Sequence, residues 1–540
     1  MSRMDAPLVI GYDLGTTGAK TCLFRLDARM ELLGCVLREY PLHLTTEGGA
    51  EQDPADWWGA MIEGTAEVLR RCGLPGARVR ALSFSAGMQS FVPVDAAGRA
   101  LRPAMTYLDQ RGGAQRRRVL CRAPRVSGMN VFLLGASLHL TGGVSASVKD
   151  PVWKYLWMQA NEPELFSRLA WWLDVKDYLA LRCTGRATMT EDSANATFLY
   201  DTRRGGLGWS RLLCRWHGVN PAHLPEVIKA TDVVGPLTGE AAHDLGLEAG
   251  IPVVAGGGDL TMQTLGAGCV EPGDTHVYIG TSGWVASVVT RRTLDLKHYM
   301  ASILGARPGP YNYIGEQETS GKCLEWVRDH IALDEIGVFL SQRHVADDPD
   351  ARHASLLEYL SEVVGETAAG AGGVVFTPWL RGNRAPFEDP NARGMFFNIG
   401  LDTGKRRLIR AVLEGMIYQK RWYLECMARR CVINEPLRFV GGGAQCPVTA
   451  QILADVTGRC VMVVETPQNA GAAGAAACCG LALGVYPGFK EIGRTIRAAR
   501  THMPDPAHRE VYERNYRIFK RLHRCNRKNF ALANGDGRSS

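Results

Sequence analysis

Four short stretches of this chain place small residues beside carboxylates or hydroxyls in spacings that suit phosphate chemistry. The first is Asp13-Leu14-Gly15-Thr16-Thr17-Gly18-Ala19-Lys20. Its glycines let the backbone approach a phosphate closely, and successive turn N–H groups form an anion-binding nest. Thr16 and Thr17 add hydroxyl donors and Lys20 a positive charge. Asp13, at the end of an apolar run, offers a carboxylate to Mg2+, an ion held by one or two carboxylates together with phosphate oxygens. The second stretch, Gly280-Thr281-Ser282-Gly283, repeats the turn and starts 265 residues after Gly15 (280 minus 15). The third is Ala255-Gly256-Gly257-Gly258-Asp259, an apolar strand running into glycines and a carboxylate on a turn open to ligand. A kinase acting on a hydroxyl needs such a base while donors stabilise the transferring phosphoryl group. The fourth, Gly441-Gly442-Gly443-Ala444, stands between a strand and a helix, where a flat adenosine can lie against bare backbone. Each stretch alone also fits a plain hairpin, a turn-forming aspartate or a simple βα loop.

The elements around these stretches have to hold them in place. Leu8–Tyr12 and Thr21–Leu26 read as strands flanking the first turn, and Thr275–Ile279 and Trp284–Thr290 as strands flanking the second. A turn repeated between β-type runs, half a chain apart, is what a duplicated domain looks like. Strand patterns at Val79–Ser85, Val253–Ala255 and Leu437–Val440 alternate with helical ones at Trp57–Arg71, Leu408–Met427 and Val448–Thr457. The expectation is an α/β protein with two domains facing each other across a cleft and a boundary near residues 256–272. The ranges are 1–260 for the first phosphate turn and sugar binding, 261–490 for the second turn and adenosine, and 491–540 for a C-terminal helix and basic tail. That helix sets Tyr516, Phe519 and Leu522 on one face and many Arg and Lys on the other, which reads as a solvated basic face.

Composition narrows the class. A chain of 540 residues is too long for one compact core, and 46% hydrophobic with 22% charged residues is ordinary for a globular protein. The net charge of +7 comes partly from local clusters such as Arg116-Arg117-Arg118. No basic stripe interleaved with stacking aromatics runs through the chain, which argues against nucleic-acid binding. The 15 cysteines have no C-x-x-C spacing, so they read as buried small hydrophobes in a reducing cytoplasm. Met1–Pro7 has no apolar core of a signal peptide, and the run Ala470–Lys490, uncharged up to its last residue, is mostly Ala and Gly, suited to close helix packing and not to a membrane span. Gly315–Cys323 has five residues between its glycines where a Walker loop has four, and no G-x-G-x-x-G follows a strand.

The motifs in this order resemble the FGGY carbohydrate kinases, members of the sugar kinase, Hsp70 and actin superfamily, and are most similar to their xylulokinase branch. Further matching stretches are Glu51-Gln52-Asp53-Pro54 with Trp57-Trp58, Leu101-Arg102-Pro103-Ala104, Lys154 with Leu156-Trp157, Lys176-Asp177-Tyr178-Leu179, and Ala411-Val412-Leu413-Glu414-Gly415. The resemblance implies two ribonuclease-H-like domains, ATP and Mg2+ as cofactors, a small sugar as partner, a cytoplasmic location and a homodimer. It assigns Asp259 as catalytic base, and Asp13, Thr16 and Thr17 to the first phosphate loop with Asp13 near the metal. Gly280 and Thr281 fall to the second loop, and Gly442, Gly443 and Ala444 to the adenosine pocket. Acceptor contacts fall on Met88, Gln89, Asp109 and Arg111. There the chain departs from the family: Gly87-Met88-Gln89-Ser90 stands where xylulokinases have Gln-Met-His-Gly, and Tyr107-Leu108-Asp109-Gln110-Arg111 where they have Trp-Asn-Asp-x-Arg. The expected activity is ATP-dependent phosphorylation of a ketopentose such as xylulose. Ribulose, gluconate and a tetritol are the alternative acceptors, and a non-catalytic sugar regulator is the remaining alternative.

Overall fold

The computed structural model describes residues 6–331 and 356–535. Most of the N-terminal stretch Met1–Pro7 and the last five residues of the basic tail lie outside the described residues. Strands β1 (Leu8–Leu14), β2 (Gly18–Leu26), β3 (Met30–Glu39), β4 (Val79–Ala86), β5 (Val233–Pro236) and β6 (Pro252–Gly258) make one six-stranded sheet in the order β5-β6-β4-β1-β2-β3. The first three strands are antiparallel neighbours, while β4 lies parallel to β1 and β6 parallel to β4. Helix α1 (Pro54–Cys72) covers β2 and β3. It starts sharply because Asp53 caps the Ala55 N–H and Pro54 sits at its first position, and it stops at Gly73 in the left-handed region. Residues 87–251, inserted between the adjacent strands β4 and β6 apart from β5, carry the Gly87–Ser90 stretch and an aromatic core of Phe91, Trp153, Tyr155 and Trp172. Helix α2 (Asp259–Gly266) follows β6 directly.

The second sheet repeats this plan. Strands β7 (Thr275–Ile279), β8 (Gly283–Val289), β9 (Leu294–Asp295), β10 (Met300–Leu304), β11 (Tyr311–Gln317), β12 (Leu437–Val440), β13 (Val461–Val464) and β14 (Ala498–His502) run in the order β9-β10-β11-β8-β7-β12-β13-β14. Its antiparallel trio β7-β8-β11 and parallel partners β12 and β13 match β1-β2-β3, β4 and β6 of the first sheet. The two turns read from the sequence therefore occupy equivalent places, each joining the first two strands of its sheet. Helices α3 (Gly321–His330), α4 (Lys405–Met427), α5 (Pro447–Thr457), α6 (Ala470–Ala482) and α7 (Arg509–Asn534) complete the architecture. Helix α4 is buried on nearly every side in its central turns, and α7 seats Tyr512, Tyr516 and Phe519 in the same core.

Helix α6 belongs by sequence to the second half yet packs on β1, β2 and β4 of the first sheet and on α2. Its Ala and Gly composition makes that approach possible. A Cβ on Gly11 would lie 2.3 Å from the Ala472 carbonyl oxygen, and one on Gly474 2.0 Å from that of Met262. The Ala–Gly run is thus a close-packed internal helix. Among the described residues no helix is long and apolar enough to cross a membrane.

Candidate active site

The first phosphate turn is pinned on three sides while its tip faces solvent. Gly15 N–H bonds the Gly18 carbonyl at 2.9 Å, Tyr40 donates its hydroxyl to the Gly15 carbonyl at 2.6 Å, and the Gln52 amide donates to the Thr16 carbonyl at 2.8 Å. Tyr107 reaches the Thr16 hydroxyl at 3.1 Å. Gly15 and Thr17 are exposed. Behind the turn, Ser85 donates to Asp13 Oδ1 at 2.7 Å, and the first turn of α6 packs so close that a Cβ on Gly471 would sit 2.7 Å from Asp13 Oδ1. Lys20 does not enter the turn: its Nζ donates to the Gln468 carbonyl at 2.6 Å, in the loop before α6.

The second turn is braced by α3. Gly280 N–H bonds the Ser282 carbonyl at 3.0 Å, and the Gly321 N–H at the start of α3 bonds the Gly280 carbonyl at 2.6 Å. Thr281 is exposed. Tyr278, two residues before Gly280, stacks on Trp284 with ring centres 4.0 Å apart. Gly443 packs on Ile279, so its stretch lies beside this turn, while a Cβ on Gly442 would meet nothing within 4 Å. The Gly442–Gln445 segment is one 3-10 turn and Ala444 is buried at its end. An open, side-chain-free surface next to a phosphate turn fits a nucleoside.

Asp259 lies near both turns, since its charge acts on Tyr107, which reaches the Thr16 hydroxyl, and on Tyr278, two residues before Gly280. Sequence reading placed it on an open turn; in the structure Gly256–Gly258 prolong β6, and Asp259 is the first residue of α2. The buried Asp192 fixes that junction by accepting the Gly258 N–H at 2.7 Å. Among the described residues Asp259 accepts only the Leu260 N–H, at 2.7 Å. Burial pushes its carboxyl up to about 7 against that hydrogen bond, with the nearby negative charges of Asp13, Glu316 and Asp174 adding to the rise. A carboxyl that titrates near neutrality beside two phosphate-type turns is suited to proton transfer.

The acceptor segment lies against this carboxylate. Met88 packs on Gly258, where a Cβ would fall 2.2 Å from its sulfur. Gln89 has a left-handed backbone, φ 69°, which a non-glycine residue adopts only when its surroundings hold it there. Asp174 does so from one side by accepting the Gln89 N–H at 2.9 Å and the Ser90 N–H at 3.1 Å. Lys154 does so from the other by donating to the Gln89 carbonyl at 2.6 Å. Burial raises the Asp174 carboxyl to about 7 and lowers the Lys154 ammonium to about 8. Asp109 and Arg111 are brought together in a buried ion network. Arg111 bridges Asp109 and Glu51, Arg102 joins Glu51 to Glu162, and the Arg111 guanidinium lies 4.3 Å from the Trp157 ring centre. Beside them a 610 Å3 cleft opens between Thr45, Gly49, Leu108 and Lys149 of the first half and Glu318, Asn383 and Arg384 of the second. Lys149 pairs with Glu318 across it at 3.3 Å. A larger hollow of 1260 Å3, at Asp27, Arg78 and Tyr486, is lined by none of these groups.

Two family models account for most of the chain: the FGGY carbohydrate kinase N-terminal domain over residues 8–266 and the C-terminal domain over residues 276–483. The chain belongs to the FGGY family of carbohydrate kinases. Full-length relatives agree. A xylulose kinase of Escherichia coli is 27% identical over 523 residues, covering 96% of this chain and 98% of that protein. A gluconokinase of Bacillus subtilis is 26% identical over 527 residues, covering 96% and 95%. The crystal structure of a ligand-bound xylulose kinase from Lactobacillus acidophilus superposes with a TM-score of 0.82 at 22% identity, covering 97% of this chain and 99% of that one, which supports the fold. An FGGY kinase is an ATP-dependent sugar kinase.

Several groups that shape this FGGY kinase's cleft were not singled out by sequence reading. Asp174 and Asp192 are aspartates that the fold turns inward. The legible signal for Asp174 is its place just before the Lys176-Asp177-Tyr178-Leu179 motif, at a helix start where a capping aspartate is common. Lys420, on α4, carries no signal. Among the described residues its buried ammonium has no hydrogen-bond partner, and a Cβ on Gly283 would lie 2.4 Å from it.

Proposed function

We propose that this FGGY kinase transfers the γ-phosphoryl group of ATP to a primary hydroxyl of a ketopentose such as xylulose, with Asp259 as the base. The observation that carries the reading is the near-neutral Asp259 carboxyl, set at the head of α2 near the two Gly-Thr turns and against the Met88–Gln89 segment. Asp259 accepts the hydroxyl proton as that oxygen attacks phosphorus, and the ADP oxygen leaves. Thr16, Thr17, Gly280 and Thr281 hold the phosphates through turn N–H and hydroxyl donors, and Gly442, Gly443 and Ala444 flank the adenosine. Met88 and Gln89 meet the acceptor, while Asp109 and Arg111, which saturate one another, form the polar wall behind it. Lys149 and Glu318 join the two sides of the cleft and so support closure, which keeps water from the phosphoryl group.

Asp13 suits a role in holding Mg2+. Among the described residues no group of three or more His, Cys, Asp or Glu side chains is arranged to hold a metal alone. Mg2+ needs no such cage, since it keeps several waters and takes its remaining ligands from one or two carboxylates and phosphate oxygens. Bound there, it would neutralise charge on the phosphates.

The identities to xylulose kinases and to gluconokinases are nearly equal, and Gln89 replaces the histidine of the xylulokinase pattern, so gluconate is the second reading. The test is a panel of D-xylulose, D-ribulose, D-gluconate and erythritol with coupled ADP detection. The expected result is the largest kcat/KM on a ketopentose. A larger value on gluconate replaces the acceptor, and no turnover on any member overturns the kinase reading.

A further inference from the structure

Of the 15 cysteines, Cys22 and Cys35 stand apart. They face each other on the antiparallel strands β2 and β3 in direct register, with sulfurs 3.3 Å apart. Among the described residues no other two thiols are joined by a hydrogen bond. Facing residues of an antiparallel pair have Cα atoms about 4.5–5.5 Å apart, within the range a disulfide spans, and the sulfurs need to close only to about 2.05 Å. Cys22 is fully buried, whereas Cys35 is half-buried and reachable from solvent. The hydrogen bond from Cys22 holds the Cys35 thiol below its ordinary range, with burial opposing and the Lys20 charge assisting. That makes Cys35 the attacking sulfur.

The pair adjoins the first phosphate turn. Lys20, two residues before Cys22 on the same strand, holds the Gln468 carbonyl, and Cys35 Sγ contacts the next residue, Asn469, at 3.6 Å from its Oδ1. Two residues further, Gly471 in the first turn of α6 abuts Asp13. One short segment, Gln468–Gly471, thus touches the thiol pair, Lys20 and Asp13.

We propose that Cys22 and Cys35 form a site of reversible intramolecular oxidation by hydroperoxides, and that the resulting cross-strand disulfide weakens ATP binding by shifting the Gln468–Gly471 segment against Asp13. The Cys35 thiolate attacks one peroxide oxygen. The O–O bond breaks, an S–O bond forms, and water leaves after hydroxide takes a proton. The Cys22 sulfur then attacks the Cys35 sulfenic acid. The S–S bond forms, the S–O bond breaks, and a second water leaves. In total two thiols lose two electrons and two protons, and one hydrogen peroxide becomes two waters. An exogenous dithiol reverses the step by exchange.

The effect on ATP rests on the proposed role of the first phosphate turn, whereas disulfide formation does not, so the two are read separately. The full chain is treated with hydrogen peroxide at low molar excess and digested with trypsin without reduction. The expected product links Thr21–Arg25 to Met30–Arg38, 2 Da lighter than the sum of the two reduced peptides, and disappears with dithiothreitol. Absence of this linkage while the exposed Cys525 oxidises overturns the site. Calorimetric titration with a non-hydrolysable ATP analogue is expected to show affinity at least fivefold weaker after oxidation, restored by dithiothreitol and unchanged by peroxide in Cys35→Ser. Cys22→Ala serves as a second variant should Cys35→Ser fold poorly. Linkage without any change in analogue affinity overturns the coupling to the phosphate turn.

Discussion

Replacing Asp259 by Asn tests the base with two independent readouts. Asn keeps the side-chain shape and an oxygen for the Leu260 N–H, but it cannot take a proton. Loss of general-base catalysis lowers turnover by about 10²–10⁴, while the affinity for an ATP analogue is expected to stay within twofold of wild type. The second readout is stability. The carboxyl rises from 3.8 in the unfolded chain to about 7 in the fold, so its favourable contribution is complete below pH 3.8 and is lost as pH rises to 7. Between pH 5 and pH 8.5 the folded carboxyl goes from protonated to ionised. That change costs at most about 2.7 kcal/mol, at 1.36 kcal/mol for each of the two pH units below 7. Asn has no such cost, so Asp259→Asn is expected to gain stability over wild type by about that amount at pH 8.5 relative to pH 5 in urea unfolding. In wild type the same ionisation gives an acid limb, with turnover falling about tenfold per pH unit below 7. Turnover above a tenth of wild type in Asp259→Asn, or an unchanged acid limb in its residual activity, refutes the assignment.

Two further substitutions separate the nucleotide side from the acceptor side. In Gly280→Ala the new methyl would fall 1.9 Å from the Tyr278 hydroxyl, and that ring is held by Trp284, so the second turn itself must move. The KM for ATP is expected to rise at least tenfold with the acceptor KM within twofold, and an unchanged ATP KM in initial-rate assays counts against the turn. Asp174→Ala leaves the Gln89, Ser90 and Val175 N–H groups without their acceptor, each a loss of about 1–3 kcal/mol where buried, and frees the left-handed Gln89. The acceptor KM is expected to rise at least tenfold with ATP KM unchanged and Asp174→Asn in between; an effect on thermal stability alone would make Asp174 merely structural.

The pattern of what sequence reading reached follows from the range over which each signal acts. The duplicated architecture was legible because strand, Gly-Thr turn and strand are contiguous, so local backbone chemistry names the element. The matching order of β1-β2-β3 with β4 and β6, and of β7-β8-β11 with β12 and β13, then follows from chain duplication. Of the run Ala470–Lys490, the stretch Ala470–Ala482 was legible as a closely packed helix for the same reason, though its burial against β1, β2 and β4 is a long-range fact. Boundaries moved where tertiary hydrogen bonds override glycine. Gly256–Gly258 read as a turn but extend β6, because the sheet and Asp192 hold their backbone.

The polar groups around the cleft were least legible because their roles depend on partners far away in sequence. Lys20 reads as a phosphate ligand from its place after the turn, yet its ammonium is spent on Gln468, 448 residues later. Asp109 and Arg111, only two residues apart, stand as acceptor contacts through the family resemblance alone. Glu51, Arg102 and Trp157 converge on them in one buried ion network that no local signal announces. The residue whose backbone departs most from the ordinary in the acceptor segment is Gln89, and Asp174 and Lys154 hold it from 85 and 65 residues away. A left-handed non-glycine backbone clamped by Asp174 and Lys154, at the position where the xylulokinase pattern carries histidine, makes the segment proposed to meet the acceptor a rigid one. A substitution at Gln89 itself would therefore change which hydroxyls are met, whereas a substitution at either clamp would change how well any acceptor is held.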